Sequence, residues 1–103
     1  MNSHVYLAKH LLELSKNSSD NIIKLQALLR CVEELAIYKY KIDDSMENYQ
    51  KITINFIKND KELYDLYSIV LDLIFYYLLG GENINVSEIE EKINEKINQI
   101  KEI

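Results

Sequence analysis

The chain contains no proline, and its two glycines stand side by side as Gly80 and Gly81. Proline breaks a helix by removing a backbone donor and clashing with the preceding turn, and glycine weakens one through its conformational freedom. Residues 1–79 carry neither, so breaks between elements must come from polar capping residues. This predicts uninterrupted helices joined by short polar turns and argues against sheets.

The apolar spacing divides the chain into five segments. Val5, Ala8 and Leu12 with Leu7, Leu11 and Leu14 form a broad face at helical spacing over about residues 3–16. "NSSD" interrupts it and supplies caps for a second helix that runs to about Tyr40, through Ile22, Leu25, Leu29, Val32 and Ala36. "KIDDS" is the next turn, where Asp44 and Glu47 have capping-box spacing and predict a third helix over about residues 45–58. Within it Ile52, Ile54 and Phe56 alternate with polar residues as in a strand. A lone strand would leave its backbone unpaired, so the reading stays helical. Asn59 with Glu62 signals a fourth helix, about residues 60–79, that ends at Gly80 and Gly81. Its second half is apolar almost all round, which predicts a central helix covered on most sides. Ser87 with Glu90 opens a fifth helix that runs to the C-terminus, with Val86, Ile89, Ile93, Ile97 and Ile100 in a narrow stripe. The expected fold class is all-α: one domain over residues 1–103, an antiparallel bundle of four to five helices.

Composition excludes several functions. The net charge is −5, and residues 51–103 hold six basic against ten acidic side chains. No cluster of Lys and Arg exists to neutralise phosphates, which disfavours nucleic acid as a partner. No run reaches the ~20 apolar residues of a membrane helix, and the N-terminus lacks a signal-peptide pattern. Cys31 is the only cysteine, so no intrachain disulfide can form and a cytoplasmic location is expected. No histidine follows Cys31 within a turn, which makes it a small core residue rather than a nucleophile.

The search for chemistry is mostly negative. His4 and His10, six residues apart on one helix, point well over ~90° apart around its axis and cannot share a metal. No metal site, cofactor-binding loop, paired-cysteine motif or hydrolytic triad is legible, so no catalytic, metal or cofactor residue is assigned. Arg30, the only arginine, has Glu33 and Glu34 at intrahelical ion-pair spacing. Asp65 and Asp72 share a face, with Asp72 interrupting the apolar run "SIVLDLIFYYLLGG". Tyr76 lies one turn after Asp72, so the carboxylate is expected to tether its hydroxyl or a neighbouring helix. Asp72, Tyr76, Tyr77 and Arg30 are therefore the candidate polar-core or interface residues.

The order of elements resembles the HEPN superfamily of small helical bundles, nearest the archaeal PaREP-type family. Three features carry it: a long second helix after a polar turn, a fourth helix ending in an aromatic pair, and a charged terminal helix. The family's fourth-helix pattern is leucine, histidine, any residue, asparagine, phenylalanine, tyrosine. Here Leu71, Asp72, Leu73, Ile74, Phe75 and Tyr76 occupy those places, with leucine, phenylalanine and tyrosine matching. The resemblance implies a commonly dimeric bundle. Many members are ribonucleases that place a histidine four to six residues after an arginine. Arg30 is followed at those distances by Leu35, Ala36 and Ile37, so the motif is missing.

These readings lead to a protein that works by association, as a homodimer or with another protein partner, without catalysis of its own. The alternatives are a HEPN-type ribonuclease or toxin/antitoxin component, using Arg30 or His10 across subunits, and a nucleic-acid-binding regulator.

Overall fold

The computed structural model describes residues 3–101 and has five α-helices, with no strand among the described residues. They are α1 (Ser3–Asn17), α2 (Asn21–Tyr40), α3 (Tyr49–Lys58), α4 (Lys61–Leu78) and α5 (Ser87–Lys101). The all-α expectation holds. The continuation of the last helix through residues 102 and 103 lies outside the described residues.

Asp20 supplies the cap expected from "NSSD": its Oδ1 accepts hydrogen bonds from the backbone N–H groups of Ile22 and Ile23. At its other end α2 closes with Lys41 in the left-handed conformation (φ 52°), while the N–H of Ile42 donates to the carbonyl of Ile37 and that of Lys41 to Tyr38. The pair of Gly80 and Gly81 closes α4 in the same way, with bonds to Tyr77 and Tyr76. Gly80 takes the positive φ of 98° there, the conformation glycine adopts without steric cost.

Three expected cap signals resolve differently. Asp43, not Asp44, organises the turn after α2: its Oδ1 accepts from both the backbone and the hydroxyl of Ser45. The third helix consequently starts at Tyr49 rather than near Ser45. Asp60 caps α4 by accepting from the N–H of Leu63, and Asn59 donates its amide to the carbonyl of Asn55. Ahead of α5, Asn85 accepts from the N–H of Ser87, which leaves Glu90 free to turn inward.

The contacts fix the direction of each helix. His4 meets Glu34, Ala8 meets Cys31 and Ser15 meets Lys24, so α1 and α2 are antiparallel. Glu33 meets Tyr67 while Lys39 and Tyr40 meet Asp60, which sets α4 antiparallel to α2. By contrast Arg30 meets Tyr49 and Tyr40 stacks on Phe56, so α3 runs in the same direction as α2. Residues 41–48 carry the chain back to make this possible. Helical geometry wins over the strand-like alternation in α3: Thr53 and Ile57, four apart, are its buried residues, and the Thr53 hydroxyl donates to the Tyr49 carbonyl.

The central helix is α2. Leu25, Leu28, Cys31, Val32, Leu35 and Ala36 are fully buried, against Ala8 and Leu12 of α1, Leu63 and Val70 of α4, and Ile93 and Ile97 of α5. The expectation that the second half of α4 fills this place is overturned. Phe75, Tyr76, Leu78 and Leu79 are 60, 51, 66 and 87% exposed. The fifth helix runs antiparallel to α4, with Lys96 on Glu62 and Ile89 lining the same hollow as Leu73. Ile74 and Tyr77 in the same turns still pack against the core, so the exposed side chains are those that α4 turns away from it.

Candidate functional site

Two features stand out from the packed core. One is a network around a buried carboxylate, and the other is the bare end of α4.

Glu34 lies on the core side of α2 with 1% of its side chain exposed. A buried carboxylate needs compensating partners, and it has two. Arg30, one turn earlier, places its guanidinium 2.8 Å from Oε1, and His4 of α1 places Nδ1 2.5 Å from Oε2. Arg30 also reaches Glu33 at 3.3 Å and donates to the Tyr49 hydroxyl at 3.3 Å. The other ring nitrogen of His4 lies 3.2 Å from Asp44 in the 41–48 turn. Glu33 accepts from Tyr67 of α4. Burial and the Glu33 charge push the Tyr67 hydroxyl up to about 12, so it stays a donor. With Glu33 and Glu34 between them, one arginine and one histidine thus link α1, α2, α3 and the turn between α2 and α3, and Glu33 adds α4 through Tyr67.

The ion pairs of Arg30 with Glu33 and Glu34 follow the sequence spacing. The role of His4 does not, because it requires a residue thirty positions away on another helix. The available signal was Glu34 itself, a charge set beside Cys31 and Leu35 on the apolar stripe. His10, in contrast, is exposed and packs edge-on against Tyr6 of its own helix. Cys31 is the core residue the sequence suggests. Its thiol donates to the carbonyl of Ala8, and burial, with the nearby Glu34 charge, pushes it up to about 12.

Further polar contacts tie the bundle. Asp60 accepts from Lys39 Nζ at 2.6 Å and from the Tyr40 hydroxyl at 2.5 Å as well as capping α4. Burial alone would raise its pKa, but those hydrogen bonds and the Lys39 charge outweigh it and hold the carboxyl at about 2. Across the molecule the Ser15 hydroxyl donates to Glu90 at 2.6 Å, both side chains being buried.

The candidate residues on α4 are placed otherwise than expected. Asp72 is exposed and has no hydrogen bond or ion pair among the described residues, so it tethers neither Tyr76 nor another helix. The reason is rotational: Leu63, Leu66, Tyr67 and Val70 define the buried face, and Asp72 projects from the opposite one. Tyr76 is half-exposed, its ring lying on Gly81, where a Cβ would collide with it. Tyr77 is half-buried against the core. The outer face of α4 consequently carries Phe75, Leu78 and Leu79 at its end, with Ile69 and Tyr76 to one side and Asp72 as the charge among them.

Among the described residues no cluster of three or more His, Cys, Asp or Glu side chains has a metal-holding arrangement. No helix there is long and apolar enough to cross a membrane. Compared with protein-family models, curated proteins and solved structures, the chain matches none of them.

Proposed function

We propose that this protein acts by association, binding a second copy of itself or another protein through the outer face of α4. The exposure of Phe75, Leu78 and Leu79 on neighbouring turns carries this reading. Isolated apolar residues are ordinary on a protein surface, whereas a contiguous group marks an interaction surface. Covering a fully exposed side chain of this size contributes roughly 1.5–3 kcal/mol before the costs of association. Size-exclusion chromatography with light scattering, run on the wild type and on Phe75→Ser with Leu78→Ser, tests it. An assembly in the wild type that the double variant loses is expected if the partner is a second copy. A strict monomer that captures nothing from its native lysate would refute the reading.

A ribonuclease of HEPN type is the second reading, and one contact favours it: His4 and Arg30 meet on the same carboxylate of Glu34. Incubation of bulk RNA with the wild type, His4→Ala and Arg30→Ala separates the two. Cleavage lost in both variants would support a nuclease, and equal inactivity of all three would remove it.

A further inference from the structure

Below the bare end of α4, the helix and α5 do not close on each other. Two adjoining hollows of about 260 and 280 Å³ run between them and share Ile69 and Lys92 in their walls. Leu66, Ile69, Leu73 and Ile89 form an apolar floor along the line from Glu62 to Leu73. That span is ~17 Å at a helical rise, the length of about three turns of a docked helix.

The charges along the rims select what fits. Six charged side chains line the hollows, and the two lysines are already engaged, Lys92 with Glu88 and Lys96 with Glu62. Asp65 on the α4 rim and Glu95 on the α5 rim have no ion-pair partner among the described residues. Asp72, seven residues after Asp65 and on the same side of α4, is unpaired as well. A second copy docked groove to groove would bring the same acidic rim against this one, with like charges opposed. A short amphipathic helix inserts its apolar stripe into such a groove and places its flanking charges over the rims.

We infer that the α4–α5 groove binds an amphipathic helix of another protein whose apolar stripe is flanked by Lys or Arg. This rests on the association reading and adds a second surface to it, on another side of α4 from Phe75 and Leu78.

The test uses the whole chain and two labelled helical peptides of equal length and apolar stripe, one flanked by Lys and one by Glu, read by fluorescence anisotropy. The Lys peptide is expected to bind at least tenfold more tightly than the Glu peptide. Exposed ion pairs change an equilibrium up to about fivefold each, so Asp65→Asn with Glu95→Gln should weaken the Lys peptide by about tenfold. Leu73→Glu should weaken both peptides, with circular dichroism confirming that each variant is folded. Equal binding of the two peptides, binding unaffected by Asp65→Asn with Glu95→Gln, or binding of neither would overturn the inference. So would a wild-type dimer that Leu73→Glu dissociates, which would put a second copy in the groove. That last result would leave the association reading standing, whereas a monomer with no lysate partner would remove both.

Discussion

His4 Nδ1 lies 2.5 Å from Oε2 of Glu34, while its Nε2 lies 3.2 Å from Asp44, so one side chain near the start of α1 fastens both the central helix and the turn after it. Glu34 is almost wholly buried and Asp44 is exposed, which makes the first contact the stronger of the two. His4→Ala is expected to cost about 1–2 kcal/mol. Hydrogen exchange should accelerate together in the first turn of α1 and in residues 41–48. Faster exchange in only one of them would show that His4 does not couple the two segments.

Removing Arg30 should cost more than neutralising Glu34. Arg30→Ala leaves a buried carboxylate with His4 as its remaining charge partner among the described residues, an expected loss of about 3 kcal/mol. Glu34→Gln keeps the shape and leaves the half-exposed Arg30 able to hydrate, an expected loss of about 1–2 kcal/mol. Urea unfolding of the two variants gives the order, and the reverse order would contradict the account of the network.

Asp60 makes stability depend on acid. Its carboxyl ordinarily titrates at 3.8 and is held at about 2 in the fold, so the unfolded chain binds the proton first as pH falls. The contribution is therefore complete above 3.8 and lost as pH falls through about 2. A shift of this size corresponds to about 2 kcal/mol. Asp60→Asn, which keeps a capping oxygen, should lower stability at neutral pH and flatten its decline between those two values. An unchanged slope in acid denaturation curves would assign the decline to other carboxylates.

Lys41 is the described non-glycine residue with positive φ. A side chain in that conformation costs roughly 1 kcal/mol. Lys41→Gly should accordingly raise stability by up to about 1 kcal/mol, less the greater freedom glycine gives the unfolded chain. Gly80→Ala should lower it by a similar amount, even though nothing lies near the added Cβ. Thermal unfolding measures both, and opposite signs are the expected result.

Cys31 is fully buried and its thiol is pushed up to about 12, so native protein should resist thiol-directed reagents at pH 8. Unfolded protein should react at the rate of a free thiol. Rapid labelling under native conditions would show that α1 opens from α2 far more often than the packing implies.

The five helices were legible because the absence of proline and the 3.6-residue spacing are properties of short stretches. The intrahelical pairing of Arg30 and the burial of Cys31 belong to the same class. Caps were legible only as regions: Asp, Asn and Ser cluster at each break, and the choice of Asp43 over Asp44, or Asp60 over Asn59, depends on which side chain the packed chain lets reach a free N–H.

Sequence alone determined that the chain is all-helical, that it divides into five helices and which stripes are apolar, since each follows from local geometry and side-chain type. Tertiary structure decided which apolar surface is covered. The second half of α4 is the most hydrophobic stretch, yet α2 became the central helix because it alone lies against the other four, while α4 turns Phe75, Leu78 and Leu79 away from the core. The same packing turned Asp72 outward, brought His4 to Glu34 and left an acidic-rimmed groove. These are relations between distant residues, and the spacing within any one helix does not encode them.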